Sequence, residues 1–144
     1  MRFCKQRDGY SCGAVAALNV DKVRGCRVTY HDLPYYRDLV GCRRIGTYAE
    51  NISRVFGKAS RRSWKSTKEF LLAGNCIIIL KTSGIQNQWG HFYLMTVDEY
   101  GCVIVVNRYR GVHYPSAVQI LPQAAATLLR HAYLTWYIEK EELL

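Results

Sequence analysis

Long apolar runs are missing from this chain of 144 residues; the longest stretches of Ile, Leu and Val, 77–80 and 103–106, are four residues each. Crossing a bilayer takes ~18 apolar residues in a row, so no membrane span is predicted. The amino-terminal run MRFCKQRDGYSC lacks the apolar segment of a secretory signal, and the expected compartment is cytoplasmic. Metal-ligand spacings such as CxxC or HxxxH are also absent. The six cysteines, Cys4, Cys12, Cys26, Cys42, Cys76 and Cys102, stand far apart in sequence, and without a secretory context most are expected to be reduced. Neither a metal nor an organic cofactor is predicted. Linkers, repeats and low-complexity tracts are lacking too, so residues 1–144 are read as one domain. Acidic residues are scarce: 11 Asp plus Glu face 20 Lys plus Arg, giving a formal charge of +9. That charge is spread along the chain, densest at Arg24–Arg27, Arg43–Arg44 and Lys58–Lys68. It is read first as a solvated basic surface and second as a fit for an acidic protein partner; a nucleic-acid binder is the weaker third reading, since neither a nucleic-acid motif nor a clustered basic helix is present.

What is present suffices for a core. Apolar residues make up 49% of the chain, and a chain of this length typically buries roughly 70% of the surface its unfolded form exposes. Small and aliphatic helix formers at Ala14–Leu18 follow the turn residues Arg7-Asp8-Gly9 and predict a buried helix starting at Cys12. A second helix is expected over Thr29–Val40, with Leu33 and Leu39 inward, Pro34 in its first turn and Gly41 as its stop. Thr47 and Glu50 have the spacing of a capping box ahead of Ile52, Val55 and Phe56, with Gly57 as the left-handed stop. Ser66 and Glu69 repeat that spacing ahead of Phe70, Leu71 and Leu72, before Gly74.

From Cys76 the pattern turns β-branched and aromatic. CIIILK, HFYLMTV and CVIVVNRY read as strands, the last two forming a hairpin around Asp98–Gly101. A short strand is expected at Val112–Tyr114, a helix from Pro122 to Leu129, and a closing strand in AYLTWYIE. Helices followed by an antiparallel sheet make an α+β domain with two segregated layers.

A thiol at a helix start feels the partial positive charge of unsatisfied amides, which favours thiolate, so Cys12 is the candidate nucleophile. The Gln6 side-chain amide, together with the backbone N–H of Cys12, can converge on an oxyanion formed during acyl transfer. A nucleophile needs a base, and His91 opens a strand after Gly90, where an imidazole can reach a helix terminus. His31 and His131 fall on surface helices and His113 in a short strand beside Tyr114; these read as ordinary surface or core residues. Running the hairpin register back from its tip sets His91 opposite Asn107, whose carbonyl is expected to accept from Nδ1–H and leave Nε2 facing the sulfur. Asp98, a rival orienter, belongs to the hairpin tip. Trp89, beside His91, is a candidate cleft wall or core cap.

The run Gln6-Arg-Asp-Gly-Tyr-Ser-Cys12-Gly13-Ala14 resembles the nucleophile motif of papain-like cysteine peptidases, above all the double-glycine-leader peptidases that process bacteriocin precursors, where the glutamine also stands six positions before the cysteine. The similarity continues through Gly46-Thr47, the aliphatic strand Ile77–Leu80 and Gly90-His91-Phe92, and so spans most of the chain. It implies a papain-like fold with N-terminal helices on a C-terminal antiparallel sheet, and a cofactor-free thiol hydrolase acting on a protein or peptide, with a narrow subsite that accepts glycine. Carried over by position, Gln6 is the oxyanion donor, Cys12 the nucleophile, His91 the base and Asn107 the orienter. The chain departs from the leader peptidases at this last position, where they have aspartate before proline and Asn107-Arg108 stands here; papain itself uses asparagine. Those peptidases are usually domains of export transporters, and a free-standing chain suggests cleavage or deamidation of a host or partner protein. Two other readings use the same scaffold: a glutamine deamidase or transamidase, and a binding module in which Cys12 no longer reacts.

Overall fold

The computed structural model describes residues 2–82, 90–109 and 113–140. After an extended amino-terminal segment, the chain forms helix α1 (Cys12–Val23), a 3₁₀ turn (Tyr30–Asp32) and helices α2 (Leu33–Leu39), α3 (Ala49–Phe56) and α4 (Trp64–Leu72). Strands β1 (Cys76–Thr82), β2 (Gly90–Val97), β3 (Val103–Val106) and β4 (Ala117–Gln119) follow, then helix α5 (Pro122–Arg130) and strand β5 (Leu134–Ile138). The five strands form one sheet in the order β4-β3-β2-β1-β5, antiparallel at every pairing.

Helix α1 begins at Cys12 as its composition predicts, and it is buried on nearly all sides. Its fit with the sheet depends on side-chain alternation, which sends successive residues of a strand to opposite faces. Ile78, Leu80, Phe92, Leu94, Ile104 and Val106 pack with α1, α2 and α3 on one face. Ile77, Ile79, Tyr93, Met95, Val103 and Val105 pack with Phe70, Leu71, Ala125 and Leu129 of α4 and α5 on the other. The sheet is therefore covered on both sides, a three-layer arrangement in place of the two layers expected. Strands buried on both faces are near-continuous apolar runs, and that composition carried the information.

Several helix boundaries differ from expectation for local reasons. Helix α2 restarts at Leu33 after the 3₁₀ turn, which Thr29 caps by accepting from the His31 N–H while the Asp32 carboxylate accepts the Thr29 N–H. Counting from Leu33, the buried positions are Tyr36 and Val40, and Leu39 turns outward at 40% exposure. Helix α3 is not capped by Thr47: its N-cap is Tyr48, with no side-chain bond, and Thr47 packs elsewhere. Helix α4 starts earlier than the Ser66–Glu69 pair implied, because the Ser63 hydroxyl accepts the Ser66 N–H at 3.1 Å.

The hairpin loop is three residues between Asp98 and Cys102: the Asp98 N–H donates to the Cys102 carbonyl, the Cys102 N–H donates to the Asp98 carboxylate, and Gly101 stands at φ 81°. That is a loop closed by a left-handed residue. The resulting register, Leu94 with Val106, would set His91 opposite Tyr109 if continued, two positions beyond Asn107. The strand expected at Val112–Tyr114 is instead at Ala117–Gln119; His113 and Tyr114 lie in a turn, and Val112 is outside the described residues.

Candidate active site

Cys12 is the first residue of α1 and 6% exposed. Beside it, β2 runs on past the end of β3, whose pairing stops at Leu94 and Val106. In that extra length the Phe92 N–H donates to Cys12 Sγ at 3.5 Å, so the thiol at the helix start lies against the backbone of the residue following His91. The His91 Nε2 lies 2.6 Å from the main-chain oxygen of Asn107. A carbonyl oxygen only accepts, so Nε2 carries the hydrogen and Nδ1 is the basic nitrogen of the neutral ring. This reverses the expected use of the two nitrogens, and the acceptor is the backbone of Asn107.

The Asn107 side chain has other work. Its Oδ1 accepts the Gln6 N–H at 3.1 Å and its Nδ2 donates to the Cys4 carbonyl at 2.8 Å. Its backbone is left-handed, φ 57°, a conformation asparagine tolerates better than most residues. Asn19, fully buried on α1, grips the same segment from the other side: Oδ1 accepts the Cys4 N–H at 2.9 Å and Nδ2 donates to the Cys4 carbonyl at 3.0 Å. Two buried amides thus hold the extended segment that carries Gln6. The Gln6 Nε2 donates one hydrogen to the Asp8 carbonyl at 2.7 Å, leaving its second hydrogen for another acceptor, and among the described residues Oε1 has no hydrogen-bond partner.

Asp8 organises the turn into α1. Its carboxylate accepts from the backbone of Tyr10 and Ser11 and from the Ser11 hydroxyl, and pairs with Arg37 of α2 at 3.0 Å. Partial burial alone would raise its pKa; those hydrogen bonds and the Arg37 charge outweigh it, and the carboxyl titrates below its ordinary value. Gly13 follows Cys12 because Thr47 leaves no room: a Cβ there would sit 2.8 Å from Thr47 Oγ1 and 2.9 Å from its Cβ.

Cys12 opens on a cleft of about 230 Å³ walled by Gly9, Tyr10, Thr47, Tyr48, Gly90 and Tyr133. Trp89 lies outside the described residues. A larger, mostly apolar groove of about 410 Å³ between α4 and the β2–β3 hairpin has neither histidine nor carboxylate among its described walls. Among the described residues no group of three or more His, Cys, Asp or Glu could hold a metal ion. His31 lies in the surface 3₁₀ turn, His113 in an exposed turn and His131 caps α5; the cleft is lined by Gly90 and Phe92 on either side of His91 and, among the described residues, by no histidine itself.

No family model matches the sequence, and no curated protein matches it. Among solved structures, the peptidase domain of Streptococcus ComA, a bi-functional ABC transporter involved in a quorum-sensing pathway, aligns over 96% of this chain and 98% of its own with a TM-score of 0.59. The two share a fold. Their sequence identity is 12%, so the likeness is one of architecture. The resemblance carried by the run from Gln6 to Ala14 therefore extends to the three-dimensional arrangement of the chain.

Sequence reasoning nominated Cys12, His91, Asn107 and Gln6; in the structure Asn107 meets both His91 and the Gln6 N–H, and Cys12 Sγ lies against the backbone of Phe92, the residue after His91. Sequence reasoning missed Asn19, Asp8 and Arg37. A single amide inside an otherwise apolar buried helix marks Asn19, and Asp three residues before a helix-starting Ser-Cys marks Asp8.

Proposed function

We propose that this chain is a cysteine peptidase with Cys12 as nucleophile, His91 as base, the Asn107 carbonyl as orienter of His91, and Gln6 with the Cys12 amide as oxyanion donors. The 3.5 Å contact from the Phe92 N–H to Cys12 Sγ is the main support for this reading, because Phe92 is the residue after His91 in the chain. His91 Nδ1 takes the thiol proton while Nε2–H stays on Asn107. The thiolate attacks the amide carbonyl carbon, and its oxygen becomes an oxyanion facing the Gln6 side chain and the Cys12 N–H. The C–N bond breaks as the imidazolium gives its proton to the leaving amine. Water, deprotonated by the same nitrogen, then attacks the thioester, releasing the acid and returning the proton to sulfur.

The test is alkylation by iodoacetamide at neutral pH with peptide mapping, alongside mass spectrometry of candidate protein substrates. Cys12 is expected to react faster than the exposed Cys26 and Cys102, and Cys12→Ala to form no thioester. Equal or slower labelling of Cys12 overturns the assignment. Substrates that gain about one dalton without fragmenting reassign the same site to glutamine deamidation.

A further inference from the structure

A second concavity lies along the outer side of the amino-terminal segment, about 300 Å³ in volume. Its walls carry Arg2, Lys5, Arg7 and Lys22, with Thr29 and Tyr30 closing it, and no carboxylate lines it. Two stretches of chain bring these cations together, the extended segment and the last turn of α1, and the start of the 3₁₀ turn closes the pocket with Thr29 and Tyr30. Extended backbone explains the sidedness, since Cys4 and Gln6 turn inward and Lys5 and Arg7 turn outward. Lys22 stands three residues after Asn19, on the α1 face that grips this segment.

The nearest acids are engaged elsewhere. Asp8 pairs with Arg37, Asp21 accepts from the Tyr36 hydroxyl and pairs with Arg24, and Asp32 caps the 3₁₀ turn. Among the described residues none of the four cations makes an ion pair. A concave surface of one sign concentrates field and attracts the opposite charge.

We propose that this pocket binds an acidic polypeptide segment, holding it alongside the Cys12 cleft. Carboxylates fit better than nucleic acid, because binding single strands relies on open aromatic faces for base stacking. Here the Tyr30 ring is covered by the Arg7 guanidinium at 3.9 Å, and Phe3 packs against the core. A guanidinium lying on a ring still offers its N–H edge to a carboxylate. Proximity to the cleft follows from chain geometry. Arg7 lines this pocket and Gly9 lines the cleft, two residues apart and so at most about 7 Å of backbone. That the bound segment belongs to a substrate rests on the peptidase reading; the binding itself does not.

The experiment uses the full chain with Cys12→Ala, so that the probe stays intact, and a fluorescein-labelled Glu-rich peptide read by anisotropy. Saturable, salt-sensitive binding is expected, weakened about tenfold or more by Lys5→Glu with Lys22→Glu. The control Lys65→Glu with Lys68→Glu changes the net charge equally on exposed positions of α4 and is expected to have little effect. Absent saturation, equal losses in both double variants, or tighter capture of a charge-matched single-stranded oligonucleotide at Lys5 and Lys22 would overturn the proposal. Acidic peptides bound at Lys5 and Lys22 but never cleaved by the wild-type chain leave the pocket standing and count against the peptidase. Cleavage of acidic substrates that ignores both substitutions does the reverse.

Discussion

Asn107 makes four contacts at once: its carbonyl meets His91, its N–H donates to the Ser116 carbonyl, and its side-chain amide holds Cys4 and Gln6, all from a left-handed backbone. Asn107→Ala removes the two amide bonds and leaves buried backbone groups without that partner, an expected loss of about 1–3 kcal/mol in urea denaturation. Its effect on turnover would run through Gln6. Gln6→Ala is expected to slow peptide hydrolysis by ~10²- to 10³-fold, and to cost about 1–3 kcal/mol of stability through the lost bond to the Asp8 carbonyl, checked by steady-state kinetics alongside a denaturation curve. At Gly13, any side chain meets Thr47, and Gly13→Ala is expected to destabilise by about 1–3 kcal/mol, read in the same denaturation assay. Asp8 supplies a pH dependence. Its folded pKa is depressed, so its contribution is fully present above the ordinary carboxylate value of about 4 and is lost as pH falls through the lower folded value. Asp8→Asn should flatten that acid limb in a stability-against-pH profile; an unchanged limb would assign it to other carboxylates.

Among the elements, helix starts separate what spacing implies from what packing allows. Thr47-x-x-Glu50 and Ser66-x-x-Glu69 both carry the sequence of a capping box, yet neither caps. Thr47 is drawn against Gly13 of α1, a contact between segments distant in sequence, and α4 gains an extra turn because Ser63 provides the cap. Ser63→Ala should therefore cost about 1 kcal/mol, whereas Ser66→Ala should cost a few tenths, a contrast thermal melts can resolve. In the β2–β3 hairpin, the strands were legible from their β-branched runs. Their register was not, because the three-residue loop depends on Asp98 accepting from Tyr100 and Cys102 and on the backbone of Gly101. The two-position difference keeps every side chain on its face, so the core was unaffected.

Across the whole molecule, the six free thiols sit in unlike surroundings. Burial in the core pushes the Cys76 thiol up to about 12, whereas Cys26 and Cys102 are exposed. In the folded protein, alkylation at neutral pH should spare Cys76 and modify Cys26 and Cys102, with Cys76 joining only in denaturant; mass spectrometry with and without urea reads this directly. Neither alternating polarity nor spacing announced that the sheet is covered on both faces. Residue type and spacing predicted the main helices and strands other than β4 and where α1 begins, and nominated Gln6, Cys12, His91 and Asn107 as candidates. The tertiary structure decided which nitrogen of His91 meets Asn107, that the contact is to backbone, and that Asn19 and Asp8 hold the segments around Cys12. Local sequence encodes periodicity and residue type, whereas hydrogen bonds between residues 15 to 103 positions apart exist only once the chain has closed on itself.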